Sequence, residues 1–283
     1  MAELRYRLVN VFAAQPALSG NALCVFEDGR ELGTETMQAL TLQFNLSETT
    51  FLLPSDRADA RVRIFSPAGE MPFAGHPTLG TAAVVSSMRG GLRRVSLEMQ
   101  AGVIPVEVDG DRYTLTANAP TSRPAGAGRD ELAAMLGLDA SDIAEGACWV
   151  STGMEQLLIP LVSGDALERA APVPAIAARW ANDRGMIKLY CFVEGDTPEM
   201  PVRFFFGKQA AIAEDPGTGS ACANLGGWHL LRGGPLPWSR VLHQGDRLGR
   251  ACRLHLDVDA AGAIRVGGRV VDLGAGVLRV GTA

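Results

Sequence analysis

The chain has 283 residues, 47% hydrophobic and 20% charged, with a formal net charge of −5, which is an ordinary globular composition with room for about two domains. The absence of any basic tract argues against an electrostatic nucleic-acid binder, and no apolar run reaches the ~20 residues of a membrane-spanning helix. Five cysteines (Cys24, Cys148, Cys191, Cys222, Cys252) contain no C-x-x-C pair, and the first residues lack an unbroken secretory core, so a reducing, cytoplasmic setting is expected.

Taken in chain order, short runs rich in Val, Leu, Phe or Thr predict strands over Tyr6–Phe12, Ala22–Phe26, Thr49–Leu53, Ala60–Phe65, Val95–Met99, Val103–Val108 and Arg112–Ala117. Later strands are expected over Gln156–Val162, Met186–Glu194, Met200–Phe206, Arg253–Val258, Ala263–Val266 and Arg269–Val280. Apolar periodicity predicts fewer helices: Thr34–Phe44, Pro77–Met88, Arg129–Leu136, Val173–Trp180 and Ser220–Leu231. Glycine is abundant, 33 of 283 residues or about 12% against a usual ~7%, and its even spread suits tight turns between short strands. The class is α+β, dominated by strands.

Arg61-Val-Arg-Ile-Phe65 is echoed 140 residues later by Pro201-Val-Arg-Phe-Phe205. Each run leads through a Pro- and Gly-containing turn, Pro72-Phe-Ala-Gly-His76 or Glu214-Asp-Pro-Gly-Thr-Gly-Ser220, into a helix of small residues. A following hairpin-like pair, Ser96–Val108, is matched with Arg253–Arg265. Two similar halves are therefore expected, each a curved mixed sheet or barrel around one apolar helix, joined in the Pro/Gly-rich stretch Pro120–Gly128. Chance similarity between short apolar strands is the alternative.

Helix starts present unpaired N–H groups and a partial positive charge, so two matched starts could hold one carboxylate. Gly75 and Gly219 would let the backbone come close. Ordinary capping, with Ser220 as N-cap and Pro77 in the first turn, explains the same residues without a ligand. Glu48, in Asn45-Leu-Ser-Glu-Thr-Thr-Phe51, either points into a cleft, where burial would favour its protonated form, or is an exposed turn carboxylate. His76 and Asp215 gain chemical meaning only beside Glu48. The four histidines (His76, His229, His243, His255) show no metal-ligand spacing, and no phosphate-binding glycine motif or G-x-S-x-G elbow occurs. No metal or cofactor is therefore expected.

These residues together resemble the PhzF-like (phenazine biosynthesis-like) family, relatives of diaminopimelate epimerase. The resemblance runs end to end. It rests on Asn10-Val-Phe12 with Gly20-Asn-Ala22, Leu46-Ser-Glu-Thr-Thr-Phe51, Arg63-Ile-Phe-Ser-Pro67 and Glu70-Met-Pro-Phe-Ala-Gly-His-Pro-Thr-Leu-Gly80. Further along it rests on Ser151-Thr-Gly153, Glu214-Asp-Pro-Gly-Thr-Gly-Ser-Ala221, Gln244-Gly245 and Gly249-Arg250. The resemblance implies two pseudo-symmetric halves, residues 1–118 with strand 272–283 returning to them and residues 119–271, with the active site in the cleft between.

It also implies cofactor-independent isomerisation of a small carboxylated substrate, usually in a homodimer. Glu48 would be the acid/base, assisted by His76 and Asp215, while Gly75, Gly219 and Ser220 bind the substrate. Asn10 and Ala22 depart from the family's usual Asp and Pro. The wider superfamily's amino-acid racemases use one thiol from each half, whereas Ala74 stands in the first junction and only the second offers Cys222. A carboxylate-based racemase or epimerase, or a non-catalytic carboxylate-binding protein, are the alternative readings.

Overall fold

A computed structural model describes residues 2–15, 18–208 and 210–280. The chain divides into two compact units, residues 1–116 with 267–283, and residues 117–266. Residues 281–283 of the expected returning strand lie outside the described residues.

The first unit contains β1 (Ala2–Val11), β2 (Asn21–Phe26), α1 (Thr34–Phe44), β3 (Thr49–Leu53), β4 (Ala60–Ser66), β5 (Gly69–Met71), α2 (Gly75–Met88), β6 (Arg94–Met99), β7 (Gly102–Asp109) and β8 (Arg112–Thr116). The second contains β9 (Thr121–Pro124), α3 (Arg129–Leu136), β10 (Cys148–Ser151), β11 (Gln156–Leu161), α4 (Gly164–Arg169) and α5 (Pro174–Ala177). It continues with β12 (Lys188–Val193), β13 (Glu199–Lys208), β14 (Ala211–Asp215), α6 (Gly219–Leu231), β15 (Trp238–Gln244), β16 (Cys252–Val258) and the start of β17 (Ile264–Val280), most of which belongs to the first unit. No helix among the described residues is long and apolar enough to cross a membrane.

In the first unit the pairings β17–β1–β2–β3–β4–β6–β7–β8 close back onto β17, an eight-stranded barrel. Two of its pairs, β2–β3 and β4–β6, are parallel. The second unit repeats the scheme through β10–β11–β12–β13–β15–β16, with β11–β12 and β13–β15 parallel. β5 and β14 are short outer partners of β4 and β13. Each delivers the chain to the start of a helix.

Helices α2 and α6 are buried on nearly every side, which is why their apolar residues follow no single face. Small residues make this possible. At Gly80 a Cβ would stand 2.6 Å from Leu23, 2.9 Å from Val11 and 3.1 Å from Val9. The two valines are stiff and cannot turn away. Gly80→Val is expected to lower stability by about 1–3 kcal/mol through overpacking, measured by urea denaturation.

The outer faces of the strands are covered as well. Met37 and Leu40 of α1 pack on Cys24, Phe26, Phe51 and Phe65. Residues of α3, α4 and α5 pack on Trp149, Leu157, Ile159, Leu189, Cys191 and Phe205. Burial on both faces makes β3 and β11 continuously buried along nearly their whole length, in place of in–out alternation.

The strand register carries the duplication down to single side chains. Phe65 pairs with Glu70 and Phe205 with Glu214. Arg63 makes two hydrogen bonds of 2.7 Å to Glu70 and lies 5.0 Å from the Phe65 ring centroid. Arg203 does the same with Glu214, at 3.0 and 2.7 Å, and lies 4.6 Å from the Phe205 ring.

Some expectations are corrected. The hairpin that answers β6–β7 is β15–β16, because β4 pairs with β6 as β13 pairs with β15; the match of residues 96–108 with 253–265 is one strand too late. The Pro120–Gly128 join contains β9, which pairs with β10. The expected helix Val173–Trp180 is reduced to the four residues Pro174–Ala177.

Candidate active site

Glu48 immediately precedes β3, and His76 is the second residue of α2. Inward-facing Thr50 fixes β3 against that helix through a 2.8 Å hydrogen bond to Thr81. Glu48, two residues earlier on the same face, thereby meets the first turn of α2. Its Oε2 lies 3.5 Å from His76 Nε2, and the two side chains are 17% and 8% exposed.

Burial pushes the His76 imidazole down to about 3, against the raising effect of its hydrogen bond to the Ala22 backbone. Nε2 has no hydrogen-bond partner among the described residues, so the nitrogen bonded at Ala22 is Nδ1, and it donates. His76 is then a neutral ring whose Nε2 lone pair faces Glu48.

Two consequences are measurable. The ring-proton NMR signals of His76 should not shift between pH 8 and pH 5. Because the folded state refuses a proton that the unfolded chain accepts below its ordinary value, this group's contribution to stability is whole above that value. It is lost as pH falls toward 3, by at most about 1.4 kcal/mol per pH unit. Replacing His76 by Asn should flatten that part of the stability–pH curve.

At the start of α6 in the second unit, Thr218 donates from its hydroxyl to Asp215 Oδ2. Gln244 locks this turn by donating to the Asp215 carbonyl at 2.8 Å and to Thr218 Oγ1 at 3.0 Å, while accepting from the Thr218 amide at 3.2 Å. Gly245 follows with φ +78°, and a Cβ there would come within 2.5 Å of the Pro216 carbonyl. Only glycine lets the Gln244 strand end approach this turn.

Ser220 Oγ accepts from Gln156 Nε2 at 2.9 Å, so its own proton remains available to donate. Gln156 is held in turn by buried Asn224, whose amide donates to Gln156 Oε1, Val150 O and Met154 O and whose Oδ1 accepts from Thr152. Neither α2 nor α6 has a side-chain cap at its start, which leaves Gly75 and Gly219 at uncapped helix ends.

Sequence reasoning placed Glu48, His76, Asp215, Gly75, Gly219 and Ser220 at these positions. Glu48 and His76 come together in the first unit, and Asp215 and Ser220 stand at one helix start in the second. Gln156, Thr218 and Asn224, which position them, were missed. An asparagine inside the apolar run Ala221-Cys-Ala-Asn-Leu-Gly226 was the one available signal. Among the described residues no group of three or more His, Cys, Asp or Glu could hold a metal ion.

Comparison with known proteins places this arrangement in a class. An isomerase of Pasteurella multocida, itself described as uncharacterized, is 39% identical over 289 residues, covering 97% of this chain and 94% of its own. The trans-2,3-dihydro-3-hydroxyanthranilate isomerase of Pseudomonas aeruginosa is 32% identical over 281 residues, 91% of each chain. A predicted epimerase from Pseudomonas aeruginosa superposes with a TM-score of 0.81 at 30% identity, covering 98% of this chain and all of that one. A hydroxyproline epimerase from Agrobacterium vitis, with a TM-score of 0.61 at 14% identity over 98% of this chain and 92% of its own, shares the fold.

The protein is thus an isomerase built on two helix-centred mixed sheets. Residues 9–276 match the phenazine biosynthesis-like protein family (PhzC-PhzF), and the chain belongs to that family.

Proposed function

We propose that the protein is a cofactor-independent isomerase that moves a proton between two carbons of a small, unsaturated cyclic carboxylic acid, with Glu48 as acid and base. The observation that carries this reading is the Glu48–His76 pair, a carboxyl group 3.5 Å from the lone pair of a neutral, buried imidazole. Ionised Glu48 takes a proton from an acidic C–H bond, and the C–H electron pair enters the substrate's conjugated system. The new Glu48 O–H then points a donor at His76 Nε2, which holds the carboxylic acid in place until its proton is delivered to the far carbon. One C–H bond breaks, one forms, and no electrons are gained or lost.

The remaining residues bind the substrate. Ser220 donates its hydroxyl proton, Asp215 accepts, and the uncapped starts of α2 and α6 at Gly75 and Gly219 favour a carboxylate by about 0.3–1 kcal/mol each. Thiol-based racemisation is poorly supported, because burial raises the Cys222 thiol well above its ordinary range. The substrate named by the Pseudomonas relative is the natural first test. Protein dialysed against a chelator should shift the double bonds of trans-2,3-dihydro-3-hydroxyanthranilate, followed by ultraviolet absorbance and NMR. A requirement for an added metal ion or organic cofactor would overturn the reading.

A further inference from the structure

The strand register lets the interiors of the two units be compared residue by residue. With Phe65 equivalent to Phe205, Thr49 and Leu189 occupy the same place opposite them. The parallel pairs Cys24–Thr49 and Leu157–Leu189 then make Leu23 the counterpart of Gln156. Val9 pairs with Leu23 and Val150 with Gln156, so Val9 corresponds to Val150 and Val11 to Thr152. Gly80 and Asn224 are each the sixth residue of their helix. In the first unit these places form an apolar cluster, with Leu23, Val11 and Val9 closing over Gly80. In the second, Gln156, Thr152 and the Val150 carbonyl all hydrogen-bond to Asn224.

Asn224 and Gln156 are fully buried, and Thr152 is 9% exposed. Apolar residues serve the fold at the same places in the first unit, so packing alone does not call for three polar side chains here. Each buried polar group costs desolvation unless it is bonded. The network has a fixed sense. The Thr152 amide can only donate, so the Asn224 atom that faces it at 2.8 Å is Oδ1. The Val150 and Met154 carbonyls can only accept, so they face Nδ2, at 3.0 and 2.9 Å. Nδ2 also lies 2.9 Å from the Gln156 side chain, which therefore turns Oε1 toward Asn224 and Nε2 toward Ser220. Backbone groups thus dictate, through two amides, that Ser220 Oγ accepts from the relay and sends its single proton elsewhere. His76, the counterpart of Ser220, needs no such relay because the Ala22 backbone fixes its ring.

We propose that Gln156 and Asn224 are positioning residues that hold Ser220 as a hydrogen-bond donor, so that the start of α6 takes an acceptor group of the substrate, a carboxylate oxygen. The assignment rests on the isomerase reading above and deepens it by naming the polarity of the group bound at Ser220. Every residue of the relay belongs to the second unit.

The test is calorimetric binding of anthranilate, whose ring and carboxylate match the substrate skeleton named by the Pseudomonas relative. On its own, Ser220→Ala should weaken binding about 10- to 100-fold, the worth of a hydrogen bond to a charged group. Gln156→Glu keeps the bond from Asn224 but offers Ser220 an acceptor, which reverses the hydroxyl. Adding Ser220→Ala to that variant should then weaken binding by less than about twofold more. Gln156→Leu, which installs the side chain the first unit carries at this place, removes the donor and leaves Asn224 Nδ2 its two carbonyls. It should weaken binding about 3- to 10-fold, because the hydroxyl regains its three staggered positions and loses its polarisation. This loss should vanish when Ser220→Ala is present. Losses that add in both cycles, no loss from Ser220→Ala alone, or no anthranilate binding by the unmodified protein at millimolar concentration overturns the proposal. Failure of the isomerase reading looks different: the dependence of the Gln156 variants on Ser220 would persist with no turnover by the unmodified protein.

Discussion

Glu48→Gln is expected to lower kcat for proton migration by about 10²–10⁴-fold, the usual worth of a positioned general acid/base, while anthranilate affinity changes no more than a few-fold. The amide keeps the size of the side chain and can still donate to His76 Nε2, so the first turn of α2 retains its neighbour. It cannot accept a proton from carbon. Glu48→Asp keeps the charge but withdraws it by one methylene from a site where the carboxyl group and imidazole are already 3.5 Å apart, so partial activity is expected. Steady-state kinetics with calorimetry on the same preparations separates the two quantities. A kcat for the Gln variant equal to that of the unmodified protein removes Glu48 from the chemistry.

Arg203→Met carries the largest expected loss of stability. The Arg203 side chain is 10% exposed, and it closes a bidentate pair with Glu214, which is 12% exposed. Its Nη1 also donates to the carbonyls of Leu167, Glu168 and Ala170 at 2.8, 3.3 and 2.8 Å, satisfying the end of α4. Methionine fills much of the volume but strands a buried carboxylate and removes those donors. The cost of breaking such a pair from one side is about 3–5 kcal/mol.

The double variant Arg203→Met/Glu214→Leu should recover part of this loss, since it removes the uncompensated charge. Arg63→Met should cost less, because Arg63 is 19% exposed and Glu70 22%, and water can reach the carboxylate it leaves behind. Urea denaturation of the unmodified protein and the three variants measures both comparisons, and adding Glu214→Leu alone completes a double-mutant cycle for the Arg203–Glu214 pair. A loss below about 1 kcal/mol for Arg203→Met would show that the pair is not a keystone of the second unit.

Legibility in the sequence followed the physics of each segment. The bounds of α1 and α3 were read to the residue because both end in a residue at positive φ, Asn45 and Gly137, and both carry periodic apolar positions. β5, β9, β10, β14 and β15 were not read. β9 is exposed at all four positions and lies among prolines and glycines. β14 is short and ends in two acidic residues, Glu214 and Asp215, and β15 mixes Ser, Arg, His and Gln into its seven positions.

Missing β15 displaced the match of the later hairpin by one strand. The repeat itself was visible because Arg-x-Phe recurs, and the structure gives the reason: in both units the arginine stacks on that phenylalanine and grips a glutamate on the next strand. Glu48 stood out through its family motif and not through any local property. Its closeness to His76 depends on how β3 packs against α2, a long-range fact that no window of sequence contains.

The account stands most directly on the fate of one hydrogen. Proton NMR of trans-2,3-dihydro-3-hydroxyanthranilate in heavy water, followed in parallel with unmodified protein and with Glu48→Gln, reports loss of the ring C–H signal as it happens. The account predicts that the signal disappears and the double bonds move with the unmodified protein, and that both persist with the Gln variant. Equal rates of disappearance in the two samples would contradict it.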